Sequence, residues 1–169
     1  PSNRKENSVI QDMSILENGS IVTMTRLRNR FGLIDEKKQI AEFESQKKHL
    51  QIKMGKNADL ITSLSGGNQQ KVVLAKWLSA NPKVLILDNP TQGVDVGAKE
   101  EIYGIIQRLA AEGVAIIVLS SEAQEIIRVC DRTLVLFHGA QVGELVGEEM
   151  TETDIMYLAT GGNQNEREA

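Results

Sequence analysis

The stretch LSGGNQQKVVLAKWLSANPKVLILDNP, residues 64–90, decides how the rest of this chain is interpreted. It opens with Ser65 and two glycines, continues with apolar residues at helical spacing and stops at Pro82, which is typical of a helix with clear ends. The run KVLILDNP is short, continuously apolar and closed by turn residues. Such runs are typical of strands buried on both faces of a parallel sheet, so the stretch predicts a helix followed by a buried strand.

Helix and strand patterns go on alternating after this stretch. GAKEEIYGIIQRLAAEG predicts an amphipathic helix closed by Gly113, VAIIVLSS a second buried strand, EAQEIIRVCD a short helix and RTLVLFHG a third strand. GAQVGELV predicts an edge strand after a turn at Gly139, and TETDIMYLATGG a last helix with Thr151 and Asp154 at capping-box spacing. Alternation of this kind implies parallel βαβ units, so we expect an α/β fold.

The residues before 63 are polar and charged, and no strand pattern of any length occurs among them. MSILENGSI predicts a helix with Ser14 as its N-cap and Glu17 at the capping-box position. DEKKQIAEFESQKKHLQIKM has a helical pattern in which charges flank apolar residues such as Phe43. We therefore expect residues 1–62 to be mostly helical and residues 63–169 to form the α/β part.

The composition argues against several classes of protein. The chain has 169 residues, which fits one domain, and 41% apolar residues, enough to build a core. Its formal net charge of −4 argues against a nucleic-acid-binding face, and no Cys/His spacing suggests zinc. No apolar run approaches the roughly 18–20 residues that cross a bilayer. No signal peptide opens the chain, which we expect to be a piece of a longer protein.

Cys130 is the single cysteine, so an internal disulfide is impossible, which fits a reducing compartment. It lies in the apolar stretch IIRVCDR. This setting predicts a small buried side chain rather than a reactive thiol.

Two features of the sequence carry chemistry. Ser65, Gly66 and Gly67 precede a helix, where backbone N–H groups and the helix dipole attract phosphate. Alone, this pattern more often marks a glycine-softened helix start. Asp88 stands at the carboxyl end of a predicted strand, where ligands bind in open α/β sheets and where an Asp commonly holds Mg²⁺ through water. The alternative is that Asp88 only closes the strand into the turn NPTQG.

Together, LSGGNQQK and VLILDNPTQGVDVGAK resemble the signature motif and the Walker B strand with its D-loop in ATP-binding cassette (ABC) ATPases. GNQQK, GVDVGAK and the SSE after the next strand resemble the second cassette of double-cassette ATPases that import ribose, galactose, xylose and related sugars. PSNRK…DMSILEN resembles that subfamily's PEDRK…MSVxEN segment. The resemblance covers residues 1 to about 162. It implies a partial P-loop NTPase fold of the ABC type, with a mostly parallel sheet, flanking helices and an N-terminal helical subdomain.

In that family two cassettes dimerise head to tail, and each ATP lies between the phosphate loop of one cassette and the signature of the other. The resemblance implies that Asp88 serves, through water, the Mg²⁺ of this cassette's own nucleotide. Residues 1–62 would be part of the helical subdomain that meets a membrane subunit, and residues 63–169 the carboxy-terminal part of the ATPase core. The nucleotide-binding residues implied in this way are Leu64, Ser65, Gly66, Gly67, Asn68, Gln69 and, at the dimer seam, Asp95.

The sequence departs from the family first in its phosphate loop. No GxxxxGK[ST] motif occurs, and the single Gly-Lys pair, Gly55-Lys56, is followed by Asn57 and has Leu50 where the first Gly belongs. We therefore expect this chain alone to bind ATP and Mg²⁺ weakly and to be inactive. In the family, the strand leading into the phosphate loop pairs beside Walker B. Without it, we expect an unpaired sheet edge that favours dimerisation, rearrangement or aggregation.

The catalytic positions depart from the family as well. Asn89 stands where the family usually has the Glu that polarises the attacking water, and Ser121 stands where many cassettes have His, so no catalytic set is complete. The glutamine-loop region would lie near Ser2. These positions lead to the hypothesis that the nucleotide site built on Asp88 is degenerate, whereas the signature that the chain offers to a partner cassette is intact.

The leading functional prediction is an ATP-binding subunit of a sugar importer, cytoplasmic and peripheral on the inner face of the cell membrane. Its expected partners are a second cassette, membrane permease subunits and, indirectly, a sugar-binding protein, without nucleic acid. One alternative is a non-transport cassette in translation or DNA repair, for which a more basic chain is expected. The other is a nucleotide-independent interaction module, the behaviour expected of this chain by itself. The sugar is not specified by these motifs.

Overall fold

The structure, a computed structural model, describes residues 8–162. The chain divides into two compact units, with the border between Ile117 and Val118. The predicted glutamine-loop position at Ser2 lies outside the described residues. The proposed functional division at residues 62 and 63 stays a prediction.

Helices make up most of the first unit and a hairpin lies at the centre of the second. The first unit contains α1 (Ile15–Ser20), a 3₁₀ turn (Ile21–Thr23), α2 (Glu36–His49), a 3₁₀ turn (Ile61–Ser63), α3 (Gly66–Leu78), β1 (Val84–Asp88), α4 (Val96–Ala111) and the start of β2 (Ala115–Leu119). The second contains the end of β2, α5 (Ala123–Val129), β3 (Arg132–Phe137), β4 (Ala140–Val146), a 3₁₀ turn (Gly147–Glu149) and α6 (Glu152–Ala159).

The helix ends follow local chemistry, as the sequence predicted. Ser14 and Glu17 form a reciprocal capping box: the Glu17 amide donates to Ser14 Oγ at 3.2 Å, and the Ser14 amide donates to Glu17 Oε2 at 2.8 Å. Gly113, with φ +93°, ends α4 in the left-handed conformation that glycine adopts without strain. Thr151 caps α6 by accepting the Asp154 amide at 3.1 Å. These predictions are therefore confirmed.

The core of the first unit lies among α1, α2 and α3, since both α1 and α2 pack against α3. Ile15, Leu50 and Ile61 are completely buried, and Phe43 is 2% exposed. Gly19 is required here because a Cβ at this position would lie 2.4 Å from the Phe43 ring. The predicted helical stretch therefore packs on the helix that follows the SGG sequence.

β1 and β2 are hydrogen-bonded neighbours, but the prediction that β1 is buried on both faces is wrong for the described residues. Leu85 and Leu87 are buried, whereas Val84 and Ile86 are 54% and 64% exposed. Side chains alternate between the two faces of a strand, so one face packs on the core and no described residue covers the other. β2, also expected to be buried, has no fully buried residue.

β3 and β4 form an antiparallel hairpin, a separate two-stranded sheet among residues 8–162. The expected series of parallel units therefore does not extend to β3. The pairing of β4 with β3 follows from the turn: His138 and Gly139 have φ of +48° and +80°, the pair of left-handed residues that reverses a chain within two residues. The predicted turn at Gly139 and the strand after it are confirmed.

The second unit has its own apolar core between this hairpin and α5 and α6. The core consists of Ala123, Ile126, Val135, Leu145, Met150, Ile155 and Leu158. Cys130 packs against it half-buried, and burial, together with the charges of Asp131 and Glu125, raises the pKa of its thiol. The reactive thiolate is therefore disfavoured, as the apolar setting of Cys130 predicted.

Candidate nucleotide site at two helix starts

The start of α3 is held together by the residues predicted to bind nucleotide. Ser65 is its N-cap, and Ser65 Oγ accepts from the Asn68 amide at 3.5 Å and from Asn68 Nδ2 at 3.0 Å. Gln69 donates from its backbone to the Ser65 carbonyl at 2.9 Å and from Nε2 to the Leu64 carbonyl at 3.0 Å. The exposed Ser65 hydroxyl thus stands at the positive end of the helix dipole, in a preorganised loop.

The start of α4 carries Asp95, the residue predicted at the dimer seam. Asp95 is the N-cap, and its Oδ1 accepts from the Ala98 amide at 3.0 Å. Its side chain is exposed. A capping Asp of this kind fixes the point at which the chain leaves the loop and enters the helix.

The two helix starts lie side by side. Gly67, buried in the first turn of α3, faces Ala98 in the first turn of α4: a Cβ added at Gly67 would lie 2.5 Å from the Ala98 Cβ. Only glycine allows this approach, which is a reason for the second glycine that does not involve phosphate. The structure therefore brings the predicted group at 64–69 close to the start of the helix that Asp95 caps.

Asp88 and Asn89 lie at the predicted end of β1. Asp88 is exposed, and Asn89 Nδ2 donates to its Oδ1 at 2.9 Å. Asn89 has φ +45°, a left-handed conformation that Asn tolerates better than most residues. An exposed carboxylate oxygen fits Mg²⁺ bound through water, and residues 8–162 contain no group of three or more His, Cys, Asp or Glu side chains that could hold a metal directly.

Ser121, the predicted switch position, belongs to the second unit and is exposed. It lies in the short link between β2 and α5, where Ser120 Oγ accepts from the Glu122 amide at 3.0 Å. This local hydrogen bond orders the link in the same manner as a cap.

Sequence reasoning missed a buried lysine beneath the site. Lys71 is 3% exposed, and its Nζ donates to Glu101 Oε2 at 2.7 Å and to the Gln51 carbonyl at 3.2 Å. The hydrogen bond from Lys71 and its charge, followed by the charge of Lys53, lower the pKa of the Glu101 carboxyl. Its spacing could have indicated this position, because Lys71 is four residues after Gly67 and so lies on the same face of α3.

A family model described as ABC transporter matches residues 2–92, more than half of the 169-residue chain. The chain belongs to the ABC transporter family. The identification made from LSGGNQQK and VLILD is therefore confirmed.

Curated relatives of this ABC transporter chain are named as sugar import proteins. The ribose import ATP-binding protein RbsA of Ruegeria sp. (strain TM1040) is 48% identical over 161 residues, which cover 95% of this chain and 32% of the relative. The RbsA of Bacillus subtilis (strain 168) is 47% identical, covering 95% and 32%. The xylose import ATP-binding protein XylG of Geobacillus kaustophilus (strain HTA426) is 43% identical, covering 94% and 31%. The chain spans about a third of the length of these relatives.

Solved structures establish the fold. A crystallised ATP-binding cassette of an ABC transporter superposes with a TM-score of 0.74 at 21% identity, over 89% of this chain and 62% of that chain. A dimeric bacterial ABC transporter cassette gives a TM-score of 0.71 at 22% identity, over 86% and 61%. The predicted α/β fold, a partial P-loop NTPase of the ABC type, is therefore confirmed. Across residues 8–162, no helix of this ABC transporter chain is long and apolar enough to cross a membrane.

Proposed function

We propose that this chain is part of the ATP-binding subunit of an ABC transporter that imports a sugar, and that it supplies its signature to an ATP held by a second cassette. The observation that carries this proposal is the exposed, capped start of α3 at Ser65 beside the start of α4 at Asp95. Relatives named for ribose and xylose import support a pentose as the cargo.

The physical basis is anion binding at a helix start. α3 begins at Gly66, directly after Ser65, so its helix dipole places partial positive charge in front of Ser65. Gly66 presents no side chain that would keep a phosphate at a distance. The signature group of residues 64–69 and Asp95 is proposed to meet a nucleotide held by another cassette.

The site built on Asp88 is proposed to be degenerate. Asp88 would hold Mg²⁺ through water, and the metal would neutralise charge on the nucleotide phosphates. Asn89 is neutral and cannot accept a proton from an attacking water, and Ser121 cannot replace the imidazole of a His. The chain therefore acts by completing a partner's ATP site and by transmitting the closure of that site.

The proposed partners follow from this role. A second cassette supplies the phosphate loop, and permease subunits receive the movement through the first part of the chain, residues 1–62. A sugar-binding protein delivers the cargo to the permease, and the chain works at the cytoplasmic face of the membrane. The net charge of −4 supports a partner other than nucleic acid.

The signature role is tested by titrating a fluorescent ATP analogue with Mg²⁺ into the chain, into a cassette that has a phosphate loop, and into their mixture. We expect no binding at micromolar concentrations by the chain alone and a nucleotide Kd for the mixture that is at least about tenfold lower than for the cassette. Ser65→Arg should abolish this gain because a bulky side chain fills the phosphate space. Ser63→Arg, at an exposed serine two residues earlier, is the matched control and should keep it.

Micromolar binding by the chain alone, or an unchanged gain in Ser65→Arg, would contradict the signature role.

The proposed degeneracy of the Asp88 site is tested by Asn89→Glu in a protein that joins this chain to a phosphate loop. We expect faster ATP hydrolysis than in the same protein with Asn89→Gln, a neutral side chain of equal length. Equal rates in the two variants would count against a degenerate site.

A further inference from the structure

Lys71 is a charged side chain in an almost fully buried position. Only 3% of the residue is exposed, and the hydration that an ammonium group loses on burial has to be offset by pairing. Its Nζ is paired on two sides, by Glu101 Oε2 at 2.7 Å and by the Gln51 carbonyl at 3.2 Å. Glu101 keeps one edge in solvent, since its side chain is 46% exposed.

These two acceptors belong to different segments. Glu101 lies on α4, whereas Gln51 lies in the link that follows α2. Gln51 has φ +51°, a conformation that costs free energy for a residue with a side chain, and the ammonium group of Lys71 binds the carbonyl of this strained residue. Two residues later, the Lys53 amide donates to Asn68 Oδ1 at 2.8 Å. The link is therefore bound to the first turns of α3 at two points.

The contact with α4 also has two points, one helical turn apart. Gly67 touches Ala98 at the start of both helices, and Lys71 meets Glu101 at the next turn. The packing of α1 and α2 on α3 is apolar and sets no single hydrogen-bond geometry. The ion pair adds a contact with α4 that has a narrow range of distance and angle, because it is a charge-assisted hydrogen bond.

We propose that Lys71 is a positioning residue for the signature, tying α3 to both α4 and the link after α2 so that Ser65 keeps one orientation beside Asp95. This inference rests on the proposed function, because it assumes that Ser65 meets a nucleotide. The inference adds a role for Lys71 to the proposed function: Lys71 transmits the position of the link after α2 to the signature group of residues 64–69. An ion pair that served stability alone would make no such link between the Gln51 segment and nucleotide affinity.

The test uses the same titration of the chain with a phosphate-loop cassette. Lys71→Met removes the donor to the Gln51 carbonyl and leaves the half-exposed Glu101 carboxylate without its partner at 2.7 Å. The deciding variant is Lys71→Met with Glu101→Leu, which removes both charges of the pair, and its melting transition is recorded so that loss of the fold is told apart from loss of position. Lys53→Met is the matched control, because Lys53 also approaches Glu101, at 3.4 Å, but is 77% exposed.

We expect the double variant to keep a cooperative melting transition, to raise the nucleotide Kd of the mixture at least about fivefold, and to speed hydrogen exchange of the Lys53 amide. Lys53→Met, which replaces the residue whose amide exchange is followed, should leave the melting transition and the nucleotide Kd unchanged. Unchanged Kd and exchange in the double variant, with Ser65→Arg still abolishing the gain, would overturn the positioning role and leave the proposed function intact. No effect of Ser65→Arg would overturn the proposed function, and the inference with it.

Discussion

At the scale of single residues, Gly67 connects packing to the proposed site. Its missing Cβ makes room for Ala98, which would otherwise lie 2.5 Å away. We predict that Gly67→Ala lowers the free energy of unfolding by about 1–3 kcal/mol, because the new methyl group forces the two helix starts apart. Urea denaturation of both proteins measures the difference.

A second glycine provides the control for this prediction. Gly104, inside α4, has only Arg108 Nη1 near its open Cβ position, at 4.0 Å. Gly104→Ala should therefore stabilise the chain by up to about 1 kcal/mol through helix propensity. Adding Ala98→Gly to Gly67→Ala should recover part of the loss. A double variant whose cost is the simple sum of its two single substitutions would contradict the clash.

At the scale of elements, α1 depends on its capping box. Hydrogen bonds from the hydroxyl and then the backbone amide of Ser14 lower the pKa of Glu17 from its usual value of 4.5. A lowered folded-state pKa stabilises the fold above the unfolded value, and this stabilisation is lost as the pH falls through the folded value. We predict that Ser14→Ala costs about 0.5–2 kcal/mol near pH 7 and less as the pH falls below 4.5.

Urea unfolding measured at several pH values between about 7 and 3 follows this change. The exposed Ser45 within α2 gives the control, since Ser45→Ala removes a hydroxyl without touching a helix cap. A cost of Ser14→Ala that stays constant over the whole range would show that Glu17 does not take part in the cap.

At the scale of the whole molecule, one face of β1 remains uncovered. Val84 and Ile86 are 54% and 64% exposed, and a groove of about 290 Å³ runs between β1 and α3 beside Trp77. Exposed apolar faces of this kind favour association in water. We predict that the chain self-associates reversibly and that Ile86→Lys raises the dissociation constant at least about tenfold.

Sedimentation equilibrium of the two proteins measures this constant. Ile10→Lys is the matched control, because Ile10 is also exposed, at 43%, but lies outside β1 and the groove. If Ile10→Lys weakened association as much as Ile86→Lys, the added charge rather than the β1 face would explain the effect.

The sequence by itself determined the family, the capping box of Ser14 with Glu17 and the ends of most elements. These features depend on residues a few positions apart: Ser14 with Glu17, Ser65 with Asn68, and Asp88 at the end of an apolar run. Hydrogen bonds over such short spacings form in nearly any tertiary context, so the pattern alone indicates them.

Only the tertiary structure decided which faces are buried and which distant residues meet. The one-sided burial of β1 depends on what packs against that strand. The contact of Gly67 with Ala98 and the pairing of Lys71 with Glu101 join positions 31 and 30 residues apart. The sequence does not distinguish a glycine that lies beside a phosphate from one that allows two helices to touch. It also does not distinguish a buried lysine from an exposed one. Burial and partner choice depend on how the helices and strands pack, and no local spacing encodes that.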